Sequence, residues 1–128
     1  MRYSIIFIVA LLAAVSCKSK VSNSQTGASY KDVDVAGAKA LISENKDLVI
    51  LDVRTPEETA GGMIENAIAI DYHGDDFMDK ISILNKDKSY LVYCKSGGRS
   101  SDTANKMIKA GFKDVTNLEG GYTAWSAK

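Results

Sequence analysis

The chain has few of the residues that build metal centres, disulfide scaffolds and histidine-dependent active sites. Among its 128 residues there are two cysteines, one histidine and one proline. Two cysteines exclude a disulfide-dense scaffold and a multi-cysteine zinc or iron–sulfur site. One histidine argues against a histidine-rich metal site or a chymotrypsin-like triad, and one proline excludes proline-rich low-complexity structure. Sixteen basic residues balance sixteen acidic ones. We therefore expect no metal, no cofactor and no nucleic-acid partner.

The N-terminus has the pattern of an export signal. Arg2 precedes Ile5–Val15, an unbroken apolar run of eleven residues, and Ser16 and Cys17 follow this run. A basic residue, an apolar stretch and a small-residue cleavage site are typical of a secretory signal. A transmembrane helix needs about 20 apolar residues, so the run is too short to span a membrane comfortably. We therefore predict a signal peptide over residues 1–16.

The cleavage region resembles that of bacterial lipoproteins. In that family a cysteine after a small residue becomes the new N-terminus and carries lipid, which here implies lipidation of Cys17. The serine-rich stretch that follows predicts a flexible linker, so residues 17–29 join the lipid to a domain over residues 30–128. We expect an exported protein that contacts the membrane through its lipid only. A soluble periplasmic form is the alternative if Cys17 is not acylated.

The domain alternates short apolar strands with helical patterns. Continuous apolar runs at 48–51 and 90–93 are typical of parallel strands that are covered on both faces. Further strands are predicted at 30–33, 64–70 and 114–118. The pattern predicts an α/β domain with a mainly parallel sheet and helices on both faces, and it leaves the strand order open.

Helix starts and ends are marked by their own residues. Asp34 is a good N-cap for the helix that follows the first strand. Thr55, Pro56 and Glu58 form the pattern of a capping box directly after the second strand. A further helix is predicted over 75–83, and others follow the fourth and fifth strands.

The segment that carries chemistry begins at Cys94, at the carboxyl end of a predicted strand. Ligand crevices of open α/β sheets lie at that edge. Gly97 and Gly98 allow backbone N–H groups to turn inward, and the helix N-terminus adds positive potential. Lys95 and Arg99 add cationic charge. Each of these features favours a thiolate, the nucleophilic form of cysteine, whereas an inert buried cysteine would not require them.

This segment resembles the active-site loop of the rhodanese-like family, in which a cysteine opens a six-residue loop wrapped around a persulfide. Here the loop is Cys94–Arg99. The segment 51–58 is similar to the Asp-Val-Arg segment of the family, and 111–121 with Trp125 is similar to its C-terminal signature. The segment 62–67 lacks the histidine and proline that the family often has there. The resemblance implies a three-layer α/β/α fold.

The resemblance also implies sulfurtransferase activity. The Cys94 thiolate would take a sulfur atom from a small donor such as thiosulfate, and a thiophilic acceptor would remove it from the Cys94 persulfide. A protein thiol is a further candidate acceptor. Asp52 and Arg54 are expected to support the structure, with a surface ion pair as the alternative. The residues expected to bind the substrate are Lys95, Ser96, Gly97, Gly98, Arg99 and Ser100, where Ser100 starts the helix.

Two other functions remain open for this fold. Phosphatases and arsenate reductases of the same fold have five residues between cysteine and arginine, whereas four separate Cys94 from Arg99. A non-catalytic binding module is the second alternative, although relatives of that kind lack the cysteine.

A lipidated Cys17 would leave no second thiol for a disulfide relay. The only histidine, His73, lies in another loop and is expected at the surface.

Overall fold

A computed structural model describes residues 29–127 of the protein. The predicted signal peptide over 1–16, the predicted lipidation site Cys17 and the linker up to residue 28 lie outside the described residues. Within the described range, no helix combines the length and the apolar character needed to cross a membrane.

Five strands and five helices alternate along the described chain. The strands are β1 (Lys31–Val33), β2 (Val49–Asp52), β3 (Ile68–Ala69), β4 (Ser89–Tyr93) and β5 (Asp114–Leu118). The helices are α1 (Val35–Glu44), α2 (Pro56–Ala60), α3 (Phe77–Ser82), α4 (Gly98–Lys109) and α5 (Gly121–Trp125).

The strands form one parallel sheet in the order β1-β5-β4-β2-β3. Successive side chains of a strand point to opposite faces, so Leu51 packs in one core cluster and Ile50 in the other. The first cluster includes residues of α3 and α4, and the second includes Ala38 of α1 with partly buried residues of α5. The predicted three-layer α/β/α architecture with a mainly parallel sheet is confirmed.

Both predicted helix caps are confirmed. The Asp34 side chain accepts a hydrogen bond from the backbone N–H of Gly37 at 2.8 Å. The Thr55 hydroxyl accepts from the N–H of Glu58 at 3.4 Å, while the Glu58 carboxylate accepts from the N–H of Thr55 at 2.9 Å. These reciprocal bonds satisfy N–H groups that have no partner inside a helix, so α2 can start directly after β2.

Two predicted elements are shorter than expected. The strand predicted over 64–70 is reduced to Ile68–Ala69. The N–H of Ile64 donates to the Tyr93 hydroxyl rather than to a strand, and Asn66 has a left-handed φ of 65°, which ends an extended segment. The helix predicted over 75–83 spans Phe77–Ser82. The N–H of Phe77 donates to the Gly74 carbonyl at 3.1 Å, in a turn that precedes the helix.

The parallel sheet brings chemically useful residues to one edge. Asp52 at the end of β2 is aligned with Tyr93 at the end of β4, and the N–H of Val53 donates to the Tyr93 carbonyl at 3.0 Å. Carboxyl ends of parallel strands share an edge, so the segments that follow β2 and β4 lie side by side. Arg54, which follows β2, and Cys94, which follows β4, therefore both lie at this edge of the sheet.

Candidate active site

Cys94 occupies the first position after β4 and is buried, with 1% of its surface exposed. Its side chain packs in the same core cluster as Val92. The loop that follows turns sharply at Gly97, whose φ of 114° is a conformation that side chains rarely adopt. The N–H of Gly97 turns inward as predicted, and α4 begins at Gly98 rather than at the predicted Ser100.

Hydrogen-bond donors surround the sulfur of Cys94. The N–H of Gly97 donates to Sγ at 3.1 Å, and the buried hydroxyl of Ser100 lies 3.4 Å from Sγ. Burial alone would raise the pKa of the Cys94 thiol. The Ser100 hydroxyl and the N–H groups of Ser100, Gly97 and Ser96 outweigh burial and hold that pKa below its ordinary value. The loop is therefore built to stabilise a negative charge on sulfur.

The first turn of α5 holds the backbone of the loop in place. The N–H of Tyr122 donates to the Cys94 carbonyl at 2.8 Å, and the N–H of Thr123 donates to the Lys95 carbonyl at 3.0 Å. Gly121 has a φ of 56°, and a Cβ there would lie 2.5 Å from the Cys94 carbonyl oxygen. Only glycine permits this approach without movement of the backbone. This close packing of α5 against the loop backbone explains why a glycine is needed at the start of α5.

The other predicted loop residues are at the surface. Lys95, Ser96 and Gly98 are exposed beside the buried sulfur, so they flank the approach to Cys94. A Cβ on Gly98 would meet nothing within 4 Å. No neighbouring protein atom within that distance therefore requires glycine at this position.

Arg99 forms an ion pair that the sequence did not indicate. Its Nη1 and Nη2 each lie 2.8 Å from a carboxylate oxygen of Glu58, in a two-point ion pair between α4 and α2. Glu58 was assigned only to the helix cap, and its approach to Arg99 depends on the tertiary fold. The pKa of Arg99 is raised first by its hydrogen bonds with Glu58 and, less strongly, by the Cys94 thiolate. Arg99, in the first turn of α4 beside the loop that carries the sulfur, is therefore held by a fixed carboxylate.

Asp52 and Arg54 form a buried ion pair, with 0% and 4% of their side chains exposed. Arg54 donates to the Asp52 carboxylate from Nε at 3.0 Å and from Nη2 at 2.7 Å. Nη2 also donates to the Gly62 carbonyl at 2.6 Å, and the guanidinium lies 4.1 Å from the centre of the Tyr122 ring. The alternative of a surface ion pair is wrong. The pair instead ties β2 to the segment after α2 and to α5.

His73 is exposed, as expected. Across residues 29–127, no cluster of three or more histidine, cysteine or acidic side chains has a geometry suited to a metal ion.

Comparison with known proteins identifies the family. The family model for the "Rhodanese-like domain" matches residues 34–128. The chain belongs to the rhodanese-like domain family. The fold agrees with this, since the "Rhodanese-like Domain Protein from Staphylococcus aureus" superposes with a TM-score of 0.66 at 36% identity. That likeness covers 77% of this chain and 93% of the other.

Curated rhodanese-like relatives include enzymes named for sulfur transfer. "Sulfurtransferase" of Allochromatium vinosum is 32% identical over 95 residues, which cover 74% of this chain and 87% of that protein. "Thiosulfate sulfurtransferase 18" of Arabidopsis thaliana is 34% identical over 117 residues, which cover 82% of this chain and 85% of that protein. These relatives support sulfur transfer of the rhodanese type as the activity class of the domain.

Proposed function

We propose that this rhodanese-like domain transfers a sulfane sulfur from a small donor to a thiophilic acceptor through a persulfide on Cys94. The observation that carries the proposal is the set of donors around the sulfur. The Gly97 N–H and the Ser100 hydroxyl lie within 3.4 Å of Sγ, at the start of a twelve-residue helix. Donors that stabilise a thiolate also stabilise an anionic persulfide.

The reaction has two balanced steps. With thiosulfate as donor, the Cys94 thiolate attacks the outer sulfur, the sulfur–sulfur bond breaks, and sulfite leaves with the bonding electron pair. The product is an anionic Cys94 persulfide. An acceptor such as cyanide, sulfite or a thiol then attacks the outer sulfur, and Cys94 leaves as a thiolate. Such covalent catalysis predicts ping-pong kinetics.

The loop residues have separate roles in this proposal. The N–H groups of Ser96, Gly97 and Ser100 hold the negative sulfur, and they are the donors that lower the pKa of Cys94. Exposed Lys95 attracts anionic donors from solvent. Arg99 retains N–H donors beyond the two that Glu58 accepts, so it can still bind a donor oxygen.

Two further residues and the N-terminus complete the proposal. Asp52 and Arg54 act as structural support through their buried ion pair and do not contact the reacting sulfur. The physiological acceptor is a small thiophile or a protein thiol. We also propose that the protein is exported, that Cys17 is lipidated and that this lipid holds the domain at a membrane.

The test measures the mass of the intact fragment Ser19–Lys128 before and after treatment with thiosulfate. Cys94 is the only cysteine in this fragment. We expect a gain of one sulfur atom, which cyanide removes as thiocyanate. Cys94→Ser should keep the circular dichroism spectrum of the native domain and gain no sulfur. A folded wild-type protein that gains no sulfur from thiosulfate or polysulfide would overturn the proposal and favour a binding module.

A further inference from the structure

Glu58 is fixed by more hydrogen bonds than a helix cap requires. Its carboxylate accepts from the Thr55 N–H at 2.9 Å, from the Thr55 hydroxyl at 2.9 Å and from two Arg99 nitrogens at 2.8 Å each. The ion pair is partly sheltered, since Arg99 is 21% and Glu58 26% exposed. Two parallel contacts of this kind hold a guanidinium in one orientation.

The pair changes the charge beside the reactive sulfur. Hydrogen bonds from Arg99 lower the pKa of Glu58 well below its ordinary range, against the opposing effect of burial, and the Thr55 N–H lowers it further. Glu58 is therefore ionised at neutral pH. Its negative charge offsets the positive charge of Arg99, so an anion approaching Cys94 gains little from that charge, although the remaining N–H groups of Arg99 can still donate to the anion.

We propose that Glu58 is a specificity-determining residue, which neutralises Arg99 and so limits the preference of the Cys94 site for anionic reagents. The proposal deepens the sulfur transfer proposed above and concerns its substrate class. A site with a neutralised arginine accepts donors and acceptors of low charge, such as neutral thiols, nearly as readily as dianions such as thiosulfate and sulfite. An unpaired arginine would favour the dianions.

Glu58→Gln tests the charge and keeps the local structure. Glutamine also completes a capping box, and its carbonyl oxygen still accepts a bond from Arg99. Glu57→Gln is the matched control, because Glu57 is exposed and lies in the same first turn of α2. Both variants lose one negative charge at the same helix end. Only the first loses the charge that is paired with Arg99.

The readout is the charge preference of Cys94 and needs no sulfur transfer. The full chain is alkylated with iodoacetate, an anion, or iodoacetamide, which is neutral, and the reaction is followed on the tryptic peptide Ser89–Lys95. The ratio of the two rates cancels any change in the thiolate fraction, because both reagents react with the thiolate. A loss of packing around Cys94 would change both rates and leave their ratio.

We expect Glu58→Gln to raise the iodoacetate-to-iodoacetamide ratio about twofold to fivefold at low ionic strength, which corresponds to one unit charge a few ångströms from the reagent. The increase should shrink in 0.5 M salt. Arg99→Ala should lower the ratio, since Glu58 is then unpaired, and Glu57→Gln should leave it close to wild type. Equal ratios for Glu58→Gln and wild type would overturn the role of Glu58.

The same variants separate this inference from the proposed function. With thiosulfate as donor, Glu58→Gln should lower KM about threefold to tenfold, because thiosulfate carries two charges. If the wild-type protein transfers sulfur but Glu58→Gln has the same alkylation ratio as wild type, the specificity role is overturned and sulfur transfer stands. A ratio that changes as expected in a protein without sulfur transfer would support the specificity role and overturn the proposed function.

Discussion

Replacement of Asp52 by alanine should destabilise the domain severely, because it leaves the buried Arg54 guanidinium without its counter-charge. Asp52 is 0% and Arg54 4% exposed, so water cannot replace the lost carboxylate. Arg54 makes four hydrogen bonds to the Asp52 carboxylate, one from its backbone N–H and three from its side chain. In the variant, the guanidinium would retain only the carbonyls of Gly62 and Glu58.

The magnitude follows from the cost of an unpaired buried charge. Removal of one partner of a buried ion pair costs about 3–5 kcal/mol. A domain of this size has a free energy of unfolding of about 5–15 kcal/mol. Asp52→Ala should therefore remove a third or more of the stability in most of that range. Arg54→Met in the same chain removes the stranded charge, so the double variant should recover about 1–2 kcal/mol of the loss.

The assay is urea unfolding of the domain, followed by circular dichroism, for wild type, Asp52→Ala and the double variant. The exposed pair between Lys113 and Asp87 supplies the control, because solvent screens it: the two side chains are 73% and 72% exposed. Asp87→Asn should unfold at nearly the wild-type urea concentration. A loss below about 1 kcal/mol for Asp52→Ala would refute the argument that the buried charge needs its partner.

Two further predictions concern the loop around Cys94. Gly121→Ala should lower the free energy of unfolding by about 2–4 kcal/mol and slow persulfide formation, because the new Cβ would lie 2.5 Å from the Cys94 carbonyl oxygen at a residue with a left-handed φ. Gly98→Ala is the control, because a Cβ there has free space, and it should match wild type in urea unfolding and sulfur loading. Ser100→Ala should shift the pH midpoint of Cys94 alkylation upward, because it removes a donor that lowers the thiol pKa. An unchanged midpoint would show that the backbone N–H groups suffice.

The sign of the pH dependence follows from the direction of that shift. The pKa of the Cys94 thiol is lowered in the folded domain. Ionisation of Cys94 therefore adds stability above the pKa of the unfolded thiol, and this contribution is lost as the pH falls through the lower folded pKa. Ser100→Ala should reduce the contribution on the alkaline side.

Local sequence signals predicted much of the fold. Asp34 and Thr55 start helices because their side chains satisfy N–H groups within three residues, which needs no distant partner. The apolar run that became β4 has both faces covered, as such runs require. The strand in segment 64–70 was predicted too long because a distant hydroxyl, that of Tyr93, accepts the hydrogen bond of the Ile64 N–H. Periodicity carries no information on such a contact.

The sequence by itself determined the element order, the parallel α/β class and the position of Cys94 between a strand and a helix, because these depend on patterns within a few residues. Only the tertiary structure decided the strand order and the pairing of Glu58 with Arg99, 41 residues apart in the chain. It likewise decided that the Asp52–Arg54 pair is buried. Burial and long-range electrostatics depend on which elements become neighbours in space, and no local pattern specifies that.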